Sequence, residues 1–255
     1  MRYEILGKLR LVEDGEIRTI GARKIETLLT ALLIRADHVV SADQLVAEMW
    51  EEGAPRRSAA SLHVNVSQLR KTLRRQGKDS PIVTRATGYS LNLGEDELDL
   101  AEFRRLTRQA WASARSGQHA EAATACERAL ALWRGESDAC YVGGPLVNGF
   151  WSWFDESRLE CLELMVESRL SLGRHRELVG LLFTLVAEHP LRESFYRQLM
   201  LALYRSERQA DALRVFQEAR DTLRRELGLE PCRALHEVRR AILAADERLE
   251  LLSAV

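Results

Sequence analysis

Apolar and polar residues alternate at the start of the chain, and the pattern then changes to a helical spacing. In the first twenty residues the alternation predicts short β-strands, with the segment EDGE as a turn. One face of these strands carries Tyr3, Ile5, Leu9 and Leu11. From about residue 22 to residue 36, apolar side chains recur every three or four positions and predict a helix. Val39 and Val40 predict a brief strand, and Ser41 is a typical N-cap for the helix that follows.

A third helix is predicted by the run SAASLHVNVSQLRKTLRR. Its apolar residues recur at i, i+4, i+7 and i+11 and form one core-facing stripe of Leu62, Val66, Leu69 and Leu73. The remaining surface of this helix is polar and basic. A helix that is anchored on one side and presents such side chains on the other can enter the major groove of DNA.

A β-hairpin is predicted directly after the third helix by the segment PIVTRATGYSLNL. The alternating positions are Ile82, Thr84, Tyr89, Leu91 and Leu93, arranged around a turn that carries Gly88. Pro81 ends the helical side, and Gly77 suits a helix C-cap. The order strands, three helices and hairpin predicts a winged helix-turn-helix core with β-structure on both sides.

Charge supports a nucleic-acid partner for this region. Between Arg56 and Arg85 there are eight Lys or Arg and one acid, Asp79, a local charge of +7 in a chain of net charge −1. Residues 1–93 carry +4 and residues 94–255 carry −5. A polyanion bound to such a surface would neutralise its charge. The alternative interpretation is that this is the basic, solvated face of an ordinary surface helix.

The back half of the chain predicts helices throughout. The acidic segment GEDELDL, residues 94–100, lacks a strand pattern and is the predicted domain boundary. The Gly-rich residues 135–149 predict a loop between helices, because no strand precedes them and no Gly-Lys-Ser/Thr follows as in a phosphate-binding loop. The segments LGRHRELVGLL and SERQADALRVF align at an offset of 34 residues, which is typical of tetratricopeptide-like helical repeats.

The motifs VSQLRKTLR (66–74), VTRATGYSLNL (83–93), AEHPLRESFYRQLMLALYRSERQADALRVFQ (187–217) and ELGLEPCRALHEVRRAIL (226–243) resemble one bacterial family. The chain is identified as a member of the Streptomyces antibiotic regulatory protein family. The resemblance implies a mainly α fold with small β elements: an OmpR/PhoB-type winged helix over residues 1–94 and a tetratricopeptide-like bacterial transcriptional activator domain over residues 98–255.

The chain departs from the family pattern at two places. Ser206–Glu207 occupies a turn where the family often has a small residue and glycine, and Cys232 stands where glycine is usual. The resemblance further implies binding of double-stranded promoter DNA at direct repeats, with protomers side by side or as a homodimer. It also implies contact with RNA polymerase, including its sigma subunit, and activation of an antibiotic gene cluster.

The candidate DNA-binding residues fall into three groups. Arg70, Lys71 and Arg74 are expected to be the main cations of the recognition helix, while Tyr89 is expected to be a core residue. Candidates for hydrogen bonds to base edges or phosphates are His63, Asn65, Ser67 and Gln68. The expected backbone and hairpin contacts are Arg56, Arg57, Thr84 and Arg85.

No catalytic, cofactor or metal motif is found in the sequence, so a non-enzyme without cofactors is expected. The N-terminus lacks a signal-peptide pattern and no apolar run could span a bilayer, which favours a cytoplasmic, nucleoid-associated protein. Two alternatives stay open: a helical-repeat adaptor, and a ligand-sensing regulator. In the second, an aromatic pocket would be lined by Trp133, Trp151, Trp153 and Phe154, although aromatic residues at helical spacing are more often core.

Overall fold

The computed structural model describes residues 1–50, 53, 57–74, 79–135, 143–246 and 249. The strands are β1 Arg2–Glu4, β2 Arg10–Glu13, β3 Glu16–Arg18, β4 Val40–Ser41, β5 Ile82–Arg85, β6 Gly88–Leu91 and β7 Glu97–Leu98. The helices are α1 Arg23–Ile34, α2 Ala42–Met49, α3 Ser58–Thr72, α4 Asp99–Arg115, α5 His119–Leu130, α6 Pro145–Ser171, α7 His175–Glu188, α8 Glu193–Arg205, α9 Gln209–Leu227 and α10 Arg233–Leu243. Within these ranges no helix has the length and apolarity that crossing a membrane requires.

The chain forms two compact units. The first contains residues 1–105 and 129–158, and the second contains residues 106–128 and 159–255. The first unit therefore includes the predicted winged helix together with the beginning of α4, the last two residues of α5 and those that follow them, and the first half of α6. The chain-order division at residues 94–98 remains a prediction, because compactness and evolutionary domains need not coincide.

A four-stranded sheet in the order β3-β2-β1-β7 opens the first unit. Strand β1 pairs antiparallel with β2, placing Tyr3 opposite Leu11, and both side chains are buried. Strand β7 pairs parallel with β1 and lies within the segment GEDELDL, where no strand was expected. The expectation was wrong because β7 has only two residues, too few to produce a visible alternation.

The three-helix core follows this sheet, as the apolar pattern predicts. Helix α1 buries almost its whole inner face, including Leu28, Leu29 and Leu32. Ser41 caps α2, because its hydroxyl accepts from the Gln44 backbone N–H while the Gln44 side chain accepts from the Ser41 N–H. The predicted N-cap is thus confirmed.

A second sheet, in the order β4-β6-β5, contains the hairpin β5–β6. Gly88 lies at the start of β6 rather than in the two-residue turn itself. A Cβ at this position would lie 2.0 Å from the Val40 carbonyl oxygen, so only glycine permits β4 to pair with β6. The sequence placed Gly88 in the turn, whereas its role in the structure is to permit the close approach of β4 and β6.

The carboxylate of Asp99, the first residue of α4, binds the end of β1. Its oxygens accept hydrogen bonds of 2.9 Å from the backbone N–H groups of Ile5 and Leu6. Arg134 donates to the same carboxylate at 3.0 Å and forms a second ion pair with Glu4. Burial raises the pKa of Asp99, and the two N–H bonds and Arg134 oppose this shift.

Glu48 makes an equivalent link between α2 and the N-terminus of α6. Its buried carboxylate accepts from the backbone N–H groups of Leu146 and Val147 at 2.7 and 3.1 Å. Gly144 fits against α2, because a Cβ there would lie 2.6 Å from the Ala47 carbonyl oxygen. The predicted loop over residues 135–149 is therefore wrong at its end: α6 begins at Pro145, and residues 136–142 lie outside the described chain.

An aromatic cluster fills the core of the first unit. Phe154 is fully buried and contacts the rings of Phe103, Trp133, Phe150 and Trp151 at centroid distances of 4.9 to 6.0 Å. Most of the predicted aromatic pocket is therefore packed core. Trp133 lies after the end of α5 at Leu130.

The second unit contains the repeat that the offset of 34 residues predicts. Helices α7 and α9 begin at His175 and Gln209, 34 positions apart, and each packs against the helix that follows it, α8 and α10 respectively. Helix α8 contributes the most buried face, which includes Phe195, Leu199 and Leu203. These helix pairs build a continuous apolar core from one repeat to the next.

Candidate nucleic-acid interface

Helix α3 is fixed to the first unit by its apolar stripe. Leu62, Val66, Leu69 and Leu73 are all buried, as the spacing predicts. The helix packs against α1 and α2, which form the other two sides of the three-helix core. One face of α3 is thereby buried, and the other is available for contact.

The open face of α3 carries most of the predicted contact residues. The exposed side chains of α3 are His63, Ser67, Gln68 and Lys71, and the half-buried ones are Asn65 and Arg70. Arg74 was predicted on this helix but lies, exposed, two residues beyond its end at Thr72. The Asn65 side chain donates to the Ser61 carbonyl at 2.7 Å, which uses one of its amide hydrogens within the helix. The face thus presents amide, hydroxyl and cationic groups together, the chemistry that base edges and phosphates recognise.

Arg70 joins the recognition helix to the hairpin. Its Nε donates to the Ile82 carbonyl at 3.2 Å, and its Nη2 donates to the Thr84 hydroxyl at 2.8 Å. Its guanidinium also lies 5.9 Å from the ring of Tyr89. These partners are neutral oxygens and a ring rather than carboxylates, so the positive charge of Arg70 is kept at the surface between helix and hairpin.

A second contact between helix and hairpin is made by Tyr89. Its side chain is 3% exposed, as expected for a core residue. The Tyr89 hydroxyl and Nδ1 of His63 share a hydrogen bond of 2.7 Å, and the two rings meet edge to face. The hairpin therefore orients the His63 ring, while the His63 side chain remains exposed.

The hairpin β5–β6 is placed as a wing beside α3. Thr84 and Arg85 are exposed near its tip, and Arg85 pairs with Gly88 across the two-residue turn. Nε of Arg85 donates to the Ser90 hydroxyl at 3.2 Å, which leaves the other guanidinium nitrogens at the surface. Such a side chain can reach phosphate or the minor groove.

The remaining predicted residues lie at the ends of the helix. Arg57 is exposed and immediately precedes α3. Arg56, and with it Arg75, Gln76, Gly77 and Lys78, lies outside the described residues. The predicted roles of Arg56 and of Gly77 as a C-cap therefore stay predictions.

Sequence reasoning missed one residue of the open face. Val64 is 65% exposed, although it is β-branched and apolar. A methyl-bearing side chain at this place on a recognition helix can contact the C5-methyl group of thymine. The signal was present in the sequence, because Val64 falls outside the Leu62–Val66–Leu69–Leu73 stripe.

Comparison with protein families gives two matches in chain order. The family described as "Transcriptional regulatory protein, C terminal" matches residues 21–91, and the "Bacterial transcriptional activator domain" matches residues 98–243. The first match includes α3 and the hairpin, and the second includes the helical repeats.

Similar proteins cover nearly the whole chain. DnrI of Streptomyces peucetius is 32% identical over 98% of this chain and 94% of its own length. AfsR of Streptomyces coelicolor is 38% identical over 100% of this chain but 25% of its own length, so the chain spans a quarter of that relative. A solved structure of Mycobacterium tuberculosis EmbR in complex with a low affinity phosphopeptide matches with a TM-score of 0.90 and 28% identity, over 99% of this chain and 68% of EmbR.

The fold, the basic helix-and-hairpin surface and the first family match define an OmpR/PhoB-type winged helix of the transcriptional-regulator class. The activator domain and the full-length match to DnrI then fix the family. This chain belongs to the Streptomyces antibiotic regulatory proteins, as its sequence motifs indicate.

Proposed function

We propose that this protein is a sequence-specific activator that binds double-stranded promoter DNA with α3 in the major groove and the hairpin at the flanking groove. One observation carries the proposal: the open face of α3 lies beside a hairpin that Arg70 connects to it by two hydrogen bonds. Helix and hairpin can then contact neighbouring parts of one duplex together.

Within this interface the residues have different proposed roles. Gln68, Ser67 and Val64 read base edges from α3, and Arg74 reads them from just beyond its C-terminal end; all four are exposed, and no side-chain hydrogen bond of theirs is found among the described residues. Lys71, Arg57 and Arg56 bind phosphates, and Thr84 and Arg85 contact the backbone or minor groove from the hairpin. Arg70, His63 and Asn65 position the surface and add charge or hydrogen bonds to it.

The biological setting is proposed from the family. The targets are direct repeats at promoters of an antibiotic biosynthetic cluster, bound by protomers side by side. The activator domain, residues 98–255 in the proposed division, contacts RNA polymerase and its sigma subunit. In the composition of this chain, only the excess of acidic residues over residues 94–255 supports a role in binding another protein.

The test is a footprint on the DNA upstream of neighbouring genes, followed by mobility-shift titrations over a range of salt concentrations. Replacing Arg74 by Ala should weaken binding to the specific site by about 1–3 kcal/mol and relax preference at one base, if Arg74 reads guanine bidentately.

Replacing Lys71 by Ala should weaken binding to specific and random DNA alike and reduce the slope of log affinity against log salt concentration by about one.

Arg214→Ala provides a control of equal charge in the second unit, where Arg214 is exposed and paired with Asp211. It should leave both quantities unchanged. Equal weakening of specific and random DNA by Arg74→Ala would contradict base reading. The absence of any specific complex at low salt would favour the alternative of a helical-repeat adaptor.

A further inference from the structure

A histidine on the open face of α3 is held by a hydrogen bond to the hairpin. The Tyr89 hydroxyl and Nδ1 of His63 are 2.7 Å apart, and the two ring centroids are 6.2 Å apart. Tyr89 is buried, whereas the His63 side chain is exposed. A neutral imidazole carries its proton on either Nδ1 or Nε2, so the direction of this hydrogen bond decides which ring nitrogen can donate to a ligand.

The burial of Tyr89 determines that direction. If Nδ1–H donated to the phenolic oxygen, the hydroxyl hydrogen of Tyr89 would need another acceptor, and none is found among the described residues. A buried hydroxyl hydrogen without an acceptor is costly. If the hydroxyl instead donates to Nδ1, one bond satisfies both groups. The neutral His63 ring therefore carries its proton on Nε2 and presents a single N–H donor at the surface.

His38 shows the opposite arrangement in the same unit. Its Nδ1 lies 2.9 Å from the carbonyl oxygen of Ala36, which can only accept a hydrogen bond. The neutral His38 ring therefore carries its proton on Nδ1. His38 and His63 are both exposed, but their partners select different tautomers, so His38 is an internal reference for His63.

The position of His63 on α3 favours contact with a base. It is the sixth of the 15 residues of the helix, one turn before Ser67, and the N-terminal part of a recognition helix contacts base edges. A neutral donor gains less from a phosphate than the neighbouring cations do, because charge-assisted bonds are stronger. Guanine has the O6 acceptor beside N7, whereas adenine has an amino donor there, so a lone N–H donor fits guanine.

We propose that Tyr89 holds His63 with its proton on Nε2, and that this N–H donates to N7 of a guanine in the major groove. The inference rests on the proposed function and adds a specificity-determining residue to it. His63 contacts the base, and Tyr89 is a positioning residue. The hairpin thereby takes part in base selection through α3, in addition to its own contacts with the duplex.

The first measurement uses the full chain without DNA. Nitrogen-15 spectra of histidine-labelled protein at about pH 8, where an ordinary imidazole is neutral, distinguish protonated from unprotonated ring nitrogens. The proton should lie on Nε2 in His63 and on Nδ1 in His38. Tyr89→Phe should shift the Nδ1 resonance of His63, because its hydrogen bond is lost, and leave His38 unchanged. A proton on Nδ1 of His63 in the unchanged protein overturns the inference.

The second measurement uses the duplex defined by the footprint, with each guanine in turn replaced by 7-deazaguanine. This base keeps Watson–Crick pairing and lacks the N7 acceptor. At one guanine, the loss of N7 should weaken binding of the unchanged protein by about three- to tenfold, the effect of one hydrogen bond. His63→Ala should be insensitive to the replacement at that guanine. In Tyr89→Phe the effect should fall to about twofold or less, because the ring is no longer held.

Matched controls exist for both variants. Tyr196→Phe removes the hydroxyl of another buried tyrosine, which donates to the Pro190 carbonyl at 3.1 Å in the second unit. His38→Ala removes an exposed histidine outside α3 and the hairpin. Neither change should alter the affinity for the duplex or the response to 7-deazaguanine. Urea unfolding of His63→Ala and Tyr89→Phe verifies that both variants fold.

The remaining outcomes separate this inference from the proposed function. If His63→Ala responds to 7-deazaguanine like the unchanged protein at every guanine, or weakens binding to specific and random DNA alike, base reading by His63 is wrong. A full response in Tyr89→Phe refutes the positioning role of Tyr89. The absence of any specific complex refutes the proposed function and base reading by His63 with it, while the spectra of the free protein still decide the tautomer.

Discussion

Glu207 adopts a left-handed backbone conformation that glycine adopts at corresponding turns. Gly117, Gly173 and Glu207 each precede a helix by two residues, with φ values of 73°, 74° and 63°. Glycine populates this region without a Cβ clash, whereas other residues are strained there by roughly 1 kcal/mol. The departure from the family pattern at Ser206–Glu207 is therefore also a local strain.

Replacing Glu207 by Gly should consequently stabilise the protein or leave it unchanged, with a gain of up to about 1 kcal/mol after the greater freedom of the unfolded chain is included. The converse change, Gly173→Ala, should destabilise by about 1 kcal/mol, because it introduces the same strain. Urea unfolding followed by circular dichroism measures both. A loss of stability in Glu207→Gly comparable to that in Gly173→Ala would show that the Glu207 side chain makes a compensating contact.

At the scale of elements, α3 and the hairpin β5–β6 form one connected surface. Arg70 donates to two hairpin oxygens, and Tyr89 shares a hydrogen bond with His63. The elements themselves follow from sequence, since the Leu62–Leu73 stripe and the alternation after Pro81 predict both. The side-chain links between them do not, because the partners are 12 to 26 residues apart and depend on how helix and hairpin meet.

Replacing Arg70 by Met keeps an unbranched side chain that matches the aliphatic part of arginine, and removes both hydrogen bonds to the hairpin. Amide hydrogen exchange in β5 and β6, measured without DNA, should become about tenfold faster, the effect of roughly 1.4 kcal/mol of lost local stability. Lys71→Met is the neighbouring control, because Lys71 is exposed, and it should leave exchange unchanged. Equal exchange in the two variants would mean that strand pairing alone fixes the hairpin.

Pattern reasoning succeeded for elements with many residues and failed for short or close-packed ones. The repeat of α7 and α9 and the cap at Ser41 were predicted, since each has its own local signal. Strand β7 was missed because two residues carry no period. Gly144 was assigned to a loop because a glycine required by helix packing is indistinguishable in sequence from one required by a turn.

At the scale of the whole molecule, buried carboxylates connect parts of the first unit that are distant in sequence. Asp99 binds N–H groups 93 and 94 residues away, and Glu48 binds N–H groups 98 and 99 residues away. No periodic pattern marks such residues, so the sequence did not distinguish them from surface acids. They explain why the compact unit includes helical residues that follow the winged helix in the chain.

The raised pKa of Asp99 predicts the direction in which the stability of the protein changes with pH. Since burial raises its pKa in the folded protein above the unfolded value, the folded state binds the proton more tightly. Its contribution to stability is therefore largest at low pH and is lost as the pH rises through the folded-state pKa. Relative to Asp99→Asn, which cannot titrate there, the unchanged protein should gain stability as the pH falls from about 7 towards the ordinary aspartate pKa of about 4.

Urea unfolding of both proteins at several pH values measures this difference. Glu97→Gln, two residues earlier and exposed, is a control that should show no such gain. If the unchanged protein instead loses stability relative to Asp99→Asn on acidification, the ion pair with Arg134 and the two N–H bonds outweigh burial at this carboxylate.

In the proposed complex with DNA, the connection through Arg70 would also constrain the nucleic acid. Because α3 and the hairpin are joined before any duplex arrives, the protein would set the spacing between their contacts, and the duplex would adjust to it by bending or by changing groove width. Base steps that deform easily, such as TA and CA, should then be enriched between the two contact points even where no side chain touches them. Selectivity would in that case reside partly in the mechanics of the bound double helix.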